Sequence, residues 1–242
     1  MARRFDLYGG PGVRGPGQVP DLVTRRVYWG DHGALLATGD AFTVTLVNVT
    51  PAVNSVNNRP WIQLAGAGAA TDGYQAQSLG EGIRLGVADK VFRMCGLIRS
   101  ADIALHEFLM GVNATDTTVI ASDSTDFAHV RKLTGETVFS GRSRKASGSA
   151  STVPIGMSAV ANDTDYFWEM ELVRSSSAGK GKMRLYWMAN PTPGSQADLV
   201  FDYTFPSQFP DTVDLAPVVA WRAGSTVTTL GFVGGVAWEQ EA

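Results

Sequence analysis

Apolar and polar residues alternate along most of the chain with a period of two, and turn-forming residues separate the alternating runs. Phe42, Val44 and Leu46 alternate with two threonines, which is typical of a β-strand with one buried face. No segment shows a long period of 3.6 residues, so the pattern predicts an all-β protein. The predicted strands are Phe42–Asn48, Trp61–Leu64, Gly82–Ala88, Lys90–Arg99, Ala104–Asn113, Phe127–Leu133, Val138–Ser143, Tyr166–Arg174, Lys182–Met188, Leu199–Phe205, Ala216–Arg222 and Thr226–Glu239.

Many short strands at regular spacing favour a β-sandwich or a barrel. The chain of 242 residues is long enough to bury a core without disulfides, and its single cysteine, Cys95, cannot form one internally. Cys95 lies in an apolar run, so we expect a buried packing residue. We divide the chain into an extended arm at residues 1–25 and a single antiparallel β-sandwich domain at residues 26–242.

Two of the predicted strands have enough pattern to fix a hairpin register. If Tyr166–Arg174 and Lys182–Met188 pair in antiparallel fashion, Leu172 opposes Met183 and Trp168 opposes Trp187 on one apolar face. Glu171 then opposes Arg184 on the other face. We therefore predict an apolar inner face and a charged outer face for this hairpin.

The net charge of −3 conceals an uneven distribution. Residues 1–30 carry five arginines and two aspartates, for +3, whereas the remainder carries 15 basic and 21 acidic groups, for −6. A basic arm on an acidic body suggests that the arm docks on an acidic surface, although a solvated tail is the simpler interpretation. The arginine density is too low for a nucleic-acid-binding arm.

Residues 1–20 contain five glycines and three prolines, so they cannot form a helix or a central strand. The residues after the first arginines do not form the apolar run of a signal peptide. We therefore expect synthesis in a cytoplasm, and we expect no membrane partner, because no stretch approaches about 20 apolar residues.

Glu169 and Glu171 are the strongest catalytic candidates, because carboxylates at i and i+2 share one face of a strand. A retaining glycosidase needs two such groups about 5–5.5 Å apart. The strand begins like the E-x-D-x-x-E strand of concanavalin-like glucanases, but Arg174 stands where the last glutamate is required. We favour a structural ion pair with Arg184 and predict that the protein is not an enzyme.

Other residue types that carry chemistry are dispersed. His32, His106 and His129 lack metal-ligand spacing, and the acidic segments 123–126 and 162–165 lack the EF-hand pattern, so we predict turn and capping roles and no cofactor or metal. Three tryptophans alternate with apolar neighbours, which favours core positions. Trp29, Trp61 and Trp221 are less determined and could form a sugar platform.

A second basic segment, Arg142, Arg144 and Lys145, precedes a serine-rich stretch. It is typical of a flexible, solvated loop, although arginine suits bidentate contacts at an interface. Our predicted partner-binding residues combine this segment with the arm: Arg3, Arg4, Phe5, Tyr8, Arg14, Arg142, Arg144 and Lys145.

The run Lys90–Met94, the segment 102–120 with its Thr-Asp-Thr-Thr loop, and the strand that begins at Phe127 resemble virion structural proteins of tailed bacteriophages. The later hairpin also fits this resemblance, which covers about residues 80–240. The resemblance implies a concanavalin A-like jelly roll and a capsid-associated role, and it supplies no catalytic residue.

From the resemblance we expect a non-enzymatic decoration or cement protein on the outer capsid surface of a virion. Its expected partners are the major capsid protein and neighbouring copies of itself, as a trimer or a dimer. The alternative is a carbohydrate-binding, lectin-like module of a phage fibre or head appendage, which would bind host-surface glycans.

Overall fold

The computed structural model describes most of the chain between residues 26 and 240, and the predicted arm lies outside the described residues. The described ranges are 26–30, 42–57, 59–78, 83–86, 90–115, 120, 124–157, 159–192, 195–226 and 230–240. Within them the structure contains strands and no helix.

The strands are β1 Arg26–Gly30, β2 Phe42–Val47, β3 Val49–Val56, β4 Arg59–Gly66, β5 Gly73–Ser78, β6 Ile83–Arg84, β7 Val91–Ser100, β8 Glu107–Asn113, β9 Phe127–Lys132, β10 Ser140–Arg144, β11 Ser151–Pro154, β12 Tyr166–Arg174, β13 Gly181–Ala189, β14 Asp198–Phe205, β15 Asp214–Arg222, β16 Leu230–Val233 and β17 Val236–Gln240.

These strands form two antiparallel sheets. The first, sheet A, has the order β14-β13-β12-β7-β16-β4-β3, with β17 beside β7 and β1 beside β17. The second, sheet B, has the order β11-β10-β9-β8-β15-β5-β2, with β6 beside β15. The two sheets form a sandwich of jelly-roll type, which confirms the predicted fold class.

The hydrophobic core lies between the sheets. Trp168, Met170 and Leu172 of β12 share one buried cluster with Phe108 and Met110 of β8. Alternate residues of both strands therefore meet at the sandwich interior, as the period of two requires. Smaller buried clusters lie on the outer face of each sheet, one around Trp61 and Cys95 and one around Leu109 and Val218.

The predicted hairpin register is confirmed at each pair. Leu172 opposes Met183, Trp168 opposes Trp187 and Glu171 opposes Arg184. The predicted last strand is instead interrupted. β7 pairs Ile98 with Val233 and Cys95 with Ala237, so β7 has two residues between these pairs where the last strand has three. This extra residue is a β-bulge, located at Gly234 and Gly235 between β16 and β17.

Candidate functional site

A ladder of alternating charges crosses the outer face of sheet A on four neighbouring strands. Arg93 of β7, Glu171 of β12, Arg184 of β13 and Asp202 of β14 occupy successive register positions. Arg93 Nε lies 2.7 Å from Glu171 Oε1, and Arg184 Nη1 lies 3.4 Å from Glu171 Oε2. Arg184 Nε continues the ladder to Asp202 Oδ2 at 3.3 Å. We call these four residues the charge ladder.

The charge ladder confirms that Glu171 lies on the charged outer face of the hairpin, as predicted, although Glu171 itself is buried there. Its residue exposure is 1%, because two guanidinium groups cover it. Burial lowers the pKa of Arg184, but hydrogen bonds to Glu171 and Asp202 outweigh burial and raise it. A hydrogen bond from Lys182 is the largest cause of the lowered pKa of Asp202.

The environment of Glu171 suits charge pairing rather than proton transfer. A general acid needs a carboxyl group that stays protonated near neutral pH, which burial without a cation provides. Glu171 instead forms ion pairs with two arginines, Arg93 and Arg184. Glu169 lies two residues away on the same face and is also buried. This geometry supports the structural interpretation of the two glutamates.

A second charged cluster involves one residue of the predicted basic segment. The Asp211 carboxylate is fully buried, pairs with Lys145, and lies 3.4 Å from Arg174 Nε. The Gly179 N–H donates to Asp211 Oδ2 at 2.7 Å, which ties the β12–β13 turn to the segment after β14. Burial raises the pKa of Asp211, but the Lys145 and Gly179 hydrogen bonds outweigh it, so the net pKa is lowered. We call Asp211, Lys145, Arg174 and Gly179 the Asp211 clamp.

The two arginines of the basic segment belong to β10 and do not form the flexible loop that the sequence suggested. Arg142 is buried, stacks over the Phe127 ring at 5.3 Å, and donates to Thr152 Oγ1 at 3.2 Å. Arg144 Nε donates to the Gly148 carbonyl at 2.8 Å. All three basic side chains therefore have partners within the chain. The arm residues Arg3, Arg4, Phe5, Tyr8 and Arg14 lie outside the described residues.

The acidic segments considered for calcium have structural partners. Asp165 accepts Arg59 Nη1 and Arg99 Nη1, both at 3.0 Å, at one end of sheet A. Asp126 Oδ1 accepts the Ala146 N–H at 2.8 Å, which is a turn-stabilising role. In the part of the chain that the structure describes, no group of three or more His, Cys, Asp or Glu residues has the arrangement of a metal site.

Both described histidines are buried and hydrogen-bonded, which is typical of histidines with a structural role. His106 Nδ1 lies 2.7 Å from Ser100 Oγ, and His129 Nδ1 lies 2.9 Å from Asn113 Oδ1. Burial lowers the pKa of His106 to about 4. The nearby Lys132 is fully buried and donates to the carbonyl of His106 at 3.0 Å. His32 lies outside the described residues.

Of the three tryptophans considered as a sugar platform, the two whose side chains the structure describes are buried. Trp61 and Trp221 are both 0% exposed. Trp168 and Trp187 lie in the core, which confirms their predicted positions, and Trp238 packs partly against it. Cys95 is buried, as predicted.

One surface that the sequence pattern did not predict is the sandwich edge formed by β2 and β3. These strands end sheet B and sheet A respectively, and Asn48 alone separates them in the chain. Val53 of β3 is 53% exposed, and Leu46 and Val47 of β2 are 43% and 37% exposed. The chain has no charged residue between Asp40 and Arg59, which is the sequence signal that marks this edge. We call the surface of β2 and β3 the neutral edge.

Comparison with known proteins supports the fold. No family model and no curated protein matches the chain. A protein of unknown function from Shewanella oneidensis MR-1 is similar in structure, with a TM-score of 0.61 and 13% identity over 97% of each chain.

Two further similar structures are weaker matches. The CBM2 module of the evolved Dit of Lactobacillus casei BL23 phage J-1 has a TM-score of 0.47 and 11% identity, over 91% of this chain and 99% of that one. Lectin II from Ulex europaeus has a TM-score of 0.45 and 9% identity, over 90% and 98%.

Within the described residues, no helix has the length and apolar character needed to span a bilayer.

Proposed function

We propose that the protein is a non-enzymatic structural protein of a tailed-bacteriophage virion, which decorates or cements the outer capsid surface. The basic N-terminal arm and the loops provide the contacts to the major capsid protein, and the sandwich projects outward. The sequence resemblance to phage virion proteins motivates this role. Many copies on one shell make weak single contacts sufficient.

The observation that carries the proposal is the burial of Glu171 between two arginines. This residue is the best catalytic candidate in the sequence, and the charge ladder uses its carboxylate as a cross-strand ion pair. The strands that carry the resemblance, β7, β8, β9, β12 and β13, form the centre of the two sheets. These strands therefore form the scaffold, which leaves the arm and loops for binding.

The test compares capsid binding of two triple variants with equal charge. Replacement of Arg3, Arg4 and Arg14 by alanine removes three positive charges from the arm. Replacement of Arg84, Lys90 and Lys180 removes three from the sandwich, so both proteins change from −3 to −6. In cosedimentation with capsids of the parent phage, we expect the arm variant to lose binding and the sandwich variant to keep it. Equal binding by both variants would contradict the role of the arm.

The alternative function is binding of host-surface glycans by a lectin-like sandwich. A lectin site needs an exposed aromatic side chain beside polar groups. Trp61 and Trp221, whose roles the sequence left open, are both fully buried. They therefore cannot provide the exposed aromatic side chain of a lectin site. A glycan array with the full chain tests this alternative, and a saturable signal for one sugar class would favour it over capsid attachment.

A further inference from the structure

We propose that the free protein forms a dimer through the neutral edge, in which β3 pairs in antiparallel fashion with β3 of a second copy across a twofold axis. The proposal concerns the protein alone and does not depend on attachment to a capsid. Its basis is the direction of the β3 backbone, the exposure of Val53 and the absence of charge along the edge.

The backbone of β3 presents alternate residues to the outside. The Ala67 N–H donates to the Asn48 carbonyl at 3.2 Å, in line with the register that pairs Val49 with Gly66. Hydrogen-bonded and non-hydrogen-bonded pairs alternate in an antiparallel ladder. Even-numbered residues of β3 therefore bond to β4, and the odd-numbered ones direct their N–H and C=O groups away from it. Pro51, which has no N–H to lose, occupies one of the outward positions, as expected of an edge strand.

Two neighbours restrict the outward pairing to the centre of β3. Pro51 offers no donor, and the Ser55 N–H donates to its neighbour Asn54 Oδ1 at 2.8 Å. Val53 lies between them, and both its N–H and its C=O point outward. When Val53 pairs with its symmetry mate, the two residues exchange two hydrogen bonds and their side chains become cross-strand neighbours. That contact covers a valine side chain that is otherwise 53% exposed.

The absence of charge identifies a second copy as the partner. A twofold axis places the same residues of both chains opposite each other, so a charged edge would oppose like charges. β3 has no charged residue, whereas β14, the last strand at the other side of sheet A, carries Asp198 and Asp202. Leu46 and Val47 of β2 add apolar surface at the same side of the sandwich. The arm of a neighbouring copy is a poorer occupant, because its glycines and prolines disfavour a strand.

The test measures self-association of the full chain by sedimentation velocity over a dilution series. We expect the wild-type protein to form dimers that dissociate on dilution. Val53→Lys opposes two ammonium groups at the twofold axis, so we expect the dissociation constant to rise at least about tenfold. Leu199→Lys is the matched control, since Leu199 is 49% exposed on β14, and we expect no change.

Three outcomes would overturn the proposal: a wild-type protein that is monomeric at every concentration, equal effects of the two variants, or a dimer lost only when residues 1–25 are deleted. If Val53→Lys lowers the melting temperature, Val53→Cys replaces it. Paired residues at this position have Cα atoms about 5.5 Å apart, which suits a disulfide. We expect Val53→Cys to form a covalent dimer on oxidation and Leu199→Cys to remain monomeric, and the reverse result would also overturn the proposal. No capsid is present in these experiments, so their failure leaves the proposed capsid role separately testable.

Discussion

The strands β14 and β3 end sheet A on opposite sides and differ in charge and in what supports them. β14 carries two aspartates and a β-bulge at Val200, the extra residue between the pairs Leu185–Phe201 and Tyr186–Leu199. β3 has eight residues without charge, of which Val53 is more than half exposed. Charges and bulges are the usual protection of a strand against pairing with another chain. β14 therefore has the features of a protected edge. The only such features of β3 are Pro51, which lacks an N–H, and the Asn54 side chain, which accepts the Ser55 N–H.

The contrast extends inward from each edge. Behind β14, the charge ladder crosses four strands and the Asp211 clamp joins the turns, so the edge is held by ion pairs. Beside β3, the residues opposite the strand belong mainly to apolar clusters, with Ile62 and Leu64 in the core and Trp61 in the outer cluster. Both sides of sheet A pack on the core, and the β14 side has the charge ladder in addition, so we expect the β14 side to be the more sensitive to loss of charge.

The largest effect is expected at the centre of the charge ladder. Glu171→Ala leaves the guanidinium groups of Arg93 and Arg184 without their shared carboxylate. We expect a loss of about 3 kcal/mol in the free energy of unfolding, at the low end for a broken buried pair because both arginines retain contact with water. Urea denaturation of the wild-type and variant proteins measures it.

The control for Glu171→Ala is Asp214→Ala, which breaks the exposed pair between Arg84 and Asp214 at 3.7 Å. Exposed pairs contribute little, so we expect no measurable change. Equal losses in the two variants would contradict the view that the charge ladder supports the β14 side.

A smaller and pH-dependent effect is expected at the Asp211 clamp. The ordinary pKa of the group is 3.8, and the folded protein lowers it. A lowered carboxyl pKa contributes stability that is present above the unfolded value and is lost as the pH falls through the folded value. We expect Asp211→Asn to cost about 2 kcal/mol near neutral pH, through a weakened buried hydrogen-bond network.

The pH profile separates this clamp from general acid unfolding. The cost of Asp211→Asn should shrink as the pH falls below about 4, because the unfolded wild-type chain takes up a proton first and the folded carboxylate follows only at the lower folded pKa. Thermal unfolding of both proteins at a series of pH values measures the difference. A cost that stays constant through the acid range would show that the ionised form of Asp211 is not what stabilises the turn.

The central strands were predictable because an uninterrupted apolar face alternates with a face that carries charges. In β12 and β13 the charges Glu169, Glu171, Lys182 and Arg184 lie opposite the apolar face, so pattern alone determined their register. β3 and β5 were missed for different reasons. β3 contains Pro51 and two polar residues near its end, which weaken the strand pattern. β5 is buried on both faces, and the polar residues of one face are glutamines, Gln75 and Gln77, where buried strands usually carry apolar residues. The β-bulge at residues 234–235 was not predicted, because it depends on how the two glycines lie opposite β7 and the pattern of the last strand alone does not show that pairing.

The candidate site was less predictable, because its partners lie far apart in the sequence. Lys145 pairs with Asp211, 66 residues away, and Arg93 pairs with Glu171, 78 residues away. The sequence indicated a charged pair between Glu171 and Arg184 but not the second arginine that buries the carboxylate. The basic segment looked solvated for the same reason, since its acceptors come from distant loops.

The next prediction converts the protected edge into one that resembles β3. The double variant Asp198→Thr and Asp202→Thr removes both charges from β14 and keeps residues that favour a strand. We expect new self-association, seen as species larger than those of the wild-type protein at equal concentration in sedimentation velocity, with a gain of about 1 kcal/mol in association. The control is Thr204→Ser on the same strand, which leaves both charges in place. Unchanged association of the double variant would show that charge is not what protects this edge.

The smallest effect is expected at the neutral edge when the salt concentration changes. Raising ionic strength from about 0.1 M to about 1 M shortens the Debye length from about 10 Å to about 3 Å, which weakens interactions between exposed charges. The ion pairs of Asp202 with Lys182 and Arg184 are partly exposed, so the β14 side should lose some stability. An interface built from Val53 and the main chain of β3 contains no charge to screen, so its dissociation constant should change less than about twofold over the same range. Sedimentation velocity at both salt concentrations measures it. Dissociation by salt would require charged contacts in the dimer and would therefore place its interface somewhere other than β3.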